Sequence, residues 1–259
     1  MGILERLSPF KRIAVLEFSG IISSSSIEPY LHIVRALSES RKIAGVVMKM
    51  NSGGGSAAAT ENLYLALRKL SEKKPLYCYV FEIAGSGGFW LACASDKIYA
   101  PTTAAVGSIG VISLKPLLSE IMEKLGISLE ITKKGRHKDM HLFHRKYTKE
   151  EERKMDELNG EIYTRFCEIV SERRGLEKKK VEEIATGEIF SARKAKELGL
   201  IDGISDMDNV LEQMYATTGV KKGRIVYIKP RPPMLRRILG GFAETLADEM
   251  YERLCTAYI

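Results

Sequence analysis

Ile83 to Asp96 reads IAGSGGFWLACASD, and this stretch decides how the chain folds. A short apolar run, Leu76 to Phe81 (LYCYVF), leads into it as a strand. An apolar helical pattern, Phe89 to Cys93, follows at once. Between them stands one serine, Ser86, among Gly85, Gly87 and Gly88. Glycines let a backbone turn sharply between strand and helix, and such a turn exposes the hydroxyl at its tip. Gly87 and Gly88 leave amides uncovered at a helix N-terminus, which suits a developing anion. A plain glycine-rich turn is the commoner fate of such a pentapeptide, so the rest of the chain has to decide.

Outward from this turn, strands and helices alternate. Arg12 to Phe18 and Ile43 to Met50 are strand-like, and the second ends in another glycine turn, Gly53 to Gly55. Ser26 is placed to cap a helix bearing Ile27, Leu31, Val34 and Leu37 on one face. Ser56 caps a helix running to Leu70, with Leu63, Leu67 and Leu70 at helical spacing. Lys97 to Ala100, Ile109 to Ser113 and Ser128 to Thr132 read as short strands, with a helix over Lys115 to Leu125. Thr148, with Glu151 three residues on, opens a long helix through a capping box. Shorter helices follow at Lys178 to Ala185, Ser191 to Leu198 and Asp206 to Ala216, with a last strand at Arg224 to Ile228. This alternation predicts an α/β fold: a mainly parallel sheet with right-handed crossovers and flanking helices. Ligands bind outside the carboxyl ends of such strands, so the two glycine turns are expected to face one site. Residues 1–230 form one domain, and Arg231-Pro232-Pro233 separates it from an amphipathic tail, 231–259. The tail suits self-docking, a contact between subunits or a membrane surface.

Composition narrows the function classes. The 259 residues are 45% hydrophobic and carry a net charge of +7, enough to bury a large core. The cations are interleaved with acids, as in Lys149 to Lys154 (KEEERK), which reads as solvated helix faces and not as a nucleic-acid surface. Cys78, Cys93, Cys167 and Cys255 lie far apart in apolar stretches, as buried thiols do, and form no C-x-x-C pair. There is no run of 18 apolar residues, no signal-peptide core near the first residue, no myristoylation pattern and no phosphate-binding G-x-x-x-x-G-K-[ST].

A serine nucleophile needs a base, and three readings compete. His137, His141 and His144 have spacing compatible with zinc or nickel, but no acidic base is placed as in H-E-x-x-H. Ser86-His137-Asp139 would be a triad whose last two members are too close in sequence to point well at one another. Ser86 with Lys138 would be a dyad. A lysine acts as base only when neutral, which takes burial enough to bring a pKa from ~10.4 towards ~7–8. On spacing alone, Lys138 is one more cation in a basic segment, Lys133 to Tyr147 (KKGRHKDMHLFHRKY).

A resemblance separates them. Asn51-Ser52-Gly53-Gly54-Gly55, Ala84-Gly85-Ser86-Gly87-Gly88-Phe89-Trp90, Ala94 to Ile98, Gly107-Ser108-Ile109-Gly110-Val111 and Gly135-Arg136-His137-Lys138-Asp139 resemble, in order, the motifs of the signal peptide peptidase A (protease IV) family. The downstream Thr186 to Asp202 (TGEIFSARKAKELGLID) is similar to a run of that family too. The resemblance implies the fold shared by Clp proteases and crotonases. It implies Ser86 as nucleophile, Lys138 as general base, Ser108 as the residue orienting the lysine, and Gly55 with Gly87 as oxyanion-hole amides. Asp139 is expected to be structural. It implies a serine endopeptidase without cofactor or metal, acting on released signal peptides and other apolar or unfolded peptides. It also implies a homo-oligomeric ring or dome, commonly of eight, whose dyad forms within or between subunits. Gly53 stands where the family usually has proline. Family members usually carry an N-terminal membrane anchor, so membrane association is expected by resemblance although no spanning segment is seen here. A crotonase-like acyl-CoA enzyme and a non-catalytic membrane scaffold are the rival readings.

Overall fold

The computed structural model describes residues 10–230. The amphipathic tail expected at 231–259, and Cys255 with it, lies outside the described residues.

In chain order, Arg12–Ser19 (β1) leads to Ser24–Glu39 (α1), Ile43–Ser52 (β2), Ala57–Ser71 (α2), Leu76–Gly85 (β3) and Gly87–Ala92 (α3). Lys97–Ala100 (β4), Ala105–Gly107 (β5), Ser119–Lys124 (α4), Lys149–Arg174 (α5) and Lys178–Ile184 (α6) follow. Ile189–Ser191 (β6), Ala192–Glu197 (α7), Gly203–Ile204 (β7), Met207–Thr218 (α8) and Ile225–Ile228 (β8) complete the order.

Strands β1, β2 and β3 are buried on both faces, which is why they read as near-continuous apolar runs. In β1, Ala14, Leu16 and Phe18 face the larger core, which α1, α2, α3 and α5 cover. Ile13 and Val15 face a second cluster made with Val210, Leu211 and Met214 of α8. Leu63, Leu67 and Leu70 of α2 are fully buried, each burial contributing ~1.5–3 kcal/mol.

The sheet order is β6-β5-β3-β2-β1-β8, with β4 pairing β3 and β7. Every pairing is parallel except β5–β6. The mainly parallel sheet with flanking helices is the expected α/β architecture. β3 forks the sheet. Its first half pairs β4 at Tyr77↔Lys97, and its last residues pair β5 at Gly85↔Gly107. On the other side Ala84 pairs Ser52 of β2. The carboxyl ends of β2, β3 and β5 therefore lie side by side.

Several expectations are corrected. Ser23, not Ser26, caps α1; Ser26 is the N3 residue that bonds back to it in a reciprocal box. The strand expected at Ile109 to Ser113 lies earlier, at Ala105–Gly107, where a ladder with β3 exists. The helix expected over Lys115 to Leu125 is the shorter α4, which buries none of its residues. Ser128 to Thr132 is not a strand. Its alternation is real, but Leu129 and Ile131 are exposed, and no described strand lies alongside to complete a ladder. Ser56 capping α2 and the Thr148/Glu151 box opening α5 are as expected. Cys78 and Cys93 are buried free thiols, and burial pushes both upward in pKa, so neither is a reactive thiolate.

Candidate active site

Ser86 sits between β3 and α3 with φ +48° and ψ −121°. These are the dihedrals of the first central residue in a type II′ turn, a place glycine normally fills. Its N–H donates to Gly107 O at 2.8 Å and its carbonyl accepts from Trp90 N–H at 3.0 Å, so strand and helix hold the turn from both sides. The half-buried hydroxyl makes no capping bond to α3 and is left free at the tip.

The Gly53–Gly55 turn packs directly on this tip. Ile22 N–H donates to Gly54 O at 2.9 Å, and Ile22 O accepts from Ser56 N–H at 2.8 Å, forming a parallel bridge centred on Gly55. Extended backbone alternates, so the N–H of Gly55 faces away from Ile22. A side chain on Gly55, whose φ is +151°, would collide with Ile22 O. A Cβ on Gly54 (φ +112°) would stand 2.8 Å from both Gly87 N and Ser86 Cβ. The buried Ser52 hydroxyl fixes the turn, donating to Gly20 O at 2.6 Å and accepting from Gly54 N–H at 3.1 Å.

Gly55, Ser86 and Gly87 line one cavity of about 230 Å³. Trp90 stacks on Phe166 of α5 at 4.9 Å between ring centroids, and both rings belong to the cavity wall. Gly110 to Ser113 forms another wall, tied to α5 by Ser113 Oγ donating to Asn159 Oδ1 at 2.7 Å. Among the described residues, none that lines the cavity carries a carboxylate, an imidazole or an amine.

Ser108 is the neighbouring feature. It follows β5 as Ser86 follows β3, has φ +50°, and donates its N–H to Glu188 O at 2.6 Å.

Lys138 is placed differently. It is exposed, lies in the run of turns after α4, and is absent from the cavity wall. Its ammonium has no partner among the described residues. Within one chain, then, Gly55, Ser86 and Gly87 converge, Ser108 adjoins them, and Lys138 stays outside. Asp139 is buried and held by Lys133 and by Arg145, and these two cations pull its pKa down to about 2. His137 lies 3.3 Å from Glu150 and His144 3.8 Å from Asp139, and neither lines the cavity at Ser86. Among the described residues no group of His, Cys, Asp and Glu converges to hold a metal ion.

Two contributors escaped the sequence reading. The wall supplied by Leu158, Asn159, Ile162 and Phe166 of α5 is one that no sequence motif marks. Arg145 was one cation among many in the basic segment, and nothing in its spacing marks it as the partner of two buried acids.

A sequence-family model described as peptidase family S49 matches residues 68–221. A Synechocystis sp. relative provisionally named a protease is 30% identical over 249 residues, covering 95% of this chain and 90% of its own length. An Enterococcus faecium relative provisionally named signal peptide peptidase SppA is 30% identical over 223 residues, covering 82% of this chain; this chain spans 65% of that protein. The fold is similar to a solved structure of 1510-N, a membrane-bound stomatin-specific protease, in a lysine-to-alanine form with a substrate peptide. That likeness has a TM-score of 0.57 at 15% identity and covers 92% of this chain and 100% of the other.

Proposed function

The chain belongs to peptidase family S49 and is a serine peptidase; from that premise we propose that Ser86 is its nucleophile and Lys138, supplied by a neighbouring copy, its general base. The observation that carries this reading is the strained turn at Ser86, which holds a free hydroxyl beside the Gly55 and Gly87 amides at one cavity. Strain kept at a serine whose hydroxyl is left free is characteristic of a nucleophile elbow.

Ser86 Oγ attacks the peptide carbonyl while neutral Lys138 takes its proton. The N–H groups of Gly55 and Gly87 donate to the oxyanion of the tetrahedral intermediate. The protonated lysine gives the proton to the leaving amine, and water then clears the acyl-enzyme by the same route. Ser108, one strand over, hydrogen-bonds the lysine amine and orients it. Among the described residues, those lining the cavity at Ser86 carry no carboxylate, imidazole or amine, which supports a proton acceptor that arrives from outside it. Docking against a second copy would also dry the amine, which favours the neutral form.

Self-assembly is supported by the segment between the cavity wall and Lys138. Ile112 is 78% exposed, Leu114 84% and Leu125 68%, and Ile121, Ile127 and Leu129 are exposed beside them. So much apolar surface on one segment marks an interaction site. A closed homo-oligomer of several copies, eight by family resemblance, covers it.

The apolar walls favour released signal peptides and other apolar or unfolded segments as substrates. Such substrates arise at membranes, and association with a membrane surface follows as part of this reading. No described helix is long and apolar enough to cross one.

The test is cleavage of a fluorogenic apolar peptide by Ser86→Ala, by Lys138→Ala and by a mixture of the two, refolded together. Each variant alone is inactive. The mixture regains about a quarter of wild-type activity if serine and lysine meet across a head-to-tail interface. A mixture that stays dead places the dyad within one chain. Full activity of Lys138→Ala removes the lysine from the mechanism, and assembly without any cleavage by wild type favours a scaffold.

A further inference from the structure

We propose that Arg145 is a positioning residue for this peptidase: acting through Asp139, it fixes the turn that presents Lys138. The inference rests on reading Lys138 as the base.

The segment carrying Lys138 has no helix or strand to define it. Lys138 itself is exposed, yet the residue beside it is buried. Asp139 and Glu151 are the two charged side chains among the buried polar residues described, and one guanidinium binds both. Arg145 Nη1 and Nη2 donate to Glu151 Oε2 and Oε1 at 2.7 and 2.8 Å, a bidentate pair. The same guanidinium reaches Asp139 Oδ2 from Nη2 at 3.1 Å and from Nε at 3.3 Å.

Both ends of this clamp are anchored. Glu151 is the N3 residue of α5 and accepts from Thr148 N–H at 2.9 Å. Asp139 Oδ1 accepts from Lys133. The buried Met140 follows, and its carbonyl accepts from Lys115 Nζ at 2.6 Å, with that ammonium 4.0 Å above the Tyr147 ring. The linkage therefore runs from the first turn of α5 through Glu151, Arg145 and Asp139 to the peptide unit that bears Lys138.

A solvated basic turn needs no buried acids to stay soluble. Two carboxylates taken out of water around one guanidinium gain little stability over apolar packing, and their best-attested use is to fix one arrangement. A general base has to stand within hydrogen-bond reach of the proton it takes, and displacement by 1 Å costs a rate factor of about 100. The clamp gives an otherwise irregular turn one geometry, with the lysine pointing outward from it.

Asp139→Asn, Arg145→Lys and Lys138→Ala of the full chain are assayed against pH with a fluorogenic apolar peptide, well below their melting temperatures and after circular dichroism has shown them folded. Asp139→Asn is near-isosteric and leaves the Arg145–Glu151 pair in place. Arg145→Lys keeps the charge and loses the fork. Both are expected to lower the high-pH plateau of kcat about tenfold or more, with KM within about twofold of wild type. A purely electrostatic influence of Asp139 on the lysine would move the midpoint of the profile and leave the plateau, and would overturn the inference. Wild-type plateaus in both folded variants would overturn it as well. Activity surviving in Lys138→Ala would instead bring down the assignment of the base, a separate result read from a separate variant.

Discussion

Ser86 and Ser108 follow two adjacent parallel strands in register, and they are the two non-glycine residues with positive φ among those described. Ser86 donates its N–H to the carbonyl of Gly107, the residue just before Ser108. The strained backbones are thus coupled through one hydrogen bond, and each leaves a hydroxyl at the carboxyl edge of the sheet.

Backbone strain of this kind costs ~1–3 kcal/mol, and glycine relieves most of it. Ser86→Gly is therefore expected to stabilise the fold by ~1 kcal/mol while abolishing cleavage, a gain of roughly 2–4 °C in Tm for a domain of this size. Ser108→Gly should raise Tm similarly and leave residual activity. Calorimetry beside a peptide assay checks both. A lower Tm for Ser86→Gly would mean that its turn is not strained.

Gly55→Ala places a methyl against Ile22 O at a φ of +151°. The backbone has to move to accept it, taking the Gly55 N–H from its place beside Ser86. Loss of one oxyanion donor lowers kcat ~100- to 1,000-fold. Labelling by a fluorophosphonate should slow in parallel, whereas labelling at the wild-type rate would exclude Gly55 as a donor.

Gly53, where relatives are expected to have proline, is not among the glycines with positive φ, unlike Gly54 and Gly55. Ser52 before it ends β2, and extended backbone is what the residue preceding a proline prefers. Gly53→Pro should stabilise by ~0.4–1 kcal/mol through the unfolded chain, with activity kept. A fall in Tm would show that the turn needs a conformation proline cannot adopt.

How much was legible in the sequence follows from the range of the interactions. Ser56, Thr148 and Glu151 could be read as caps because a cap and its partner lie within one turn of helix. Strands β1, β2 and β3 could be read because both of their faces are buried. Ser128 to Thr132 misled because alternation records one apolar face without saying whether a ladder exists beside it. Ser86, Gly55 and Gly87 come together through the register of β2, β3 and β5; the sequence offered only the expectation that two glycine turns ending parallel strands face one site. The role of Arg145 was not legible: its partners are recognised only by their burial, and the sequence around Asp139 is polar throughout. The place of Lys138 outside the cavity was equally hidden, because a family motif names a residue and leaves open which copy of the chain supplies it.

The clamp also predicts an acid-sensitive segment. Lys133 and then Arg145 hold Asp139 at a pKa of about 2, and Arg145 with the Thr148 N–H holds Glu151 well below the usual carboxylate range. Both folded values lie under their unfolded ones of ~3.9 and ~4.3, so the stabilisation is complete above about pH 5. It is lost as pH falls through the folded values. The Tm deficit of Asp139→Asn relative to wild type should be present at about pH 6.5 and shrink towards pH 2. A deficit that does not change with pH would assign it to packing.

The apolar segment that follows the cavity wall carries the last prediction. Leu114 and Ile121 are exposed and belong to neither core cluster, and α4 buries none of its residues. Replacing either by aspartate should change the fold's stability by no more than ~0.5 kcal/mol. If that surface joins copies and thereby brings Lys138 to a neighbouring Ser86, Leu114→Asp with Ile121→Asp gives a folded, smaller species that does not cleave peptide. Light scattering with the same fluorogenic assay separates the cases. A variant that dissociates and keeps its activity would show that one chain completes the site alone, while one that stays assembled and active would move the interface to another face.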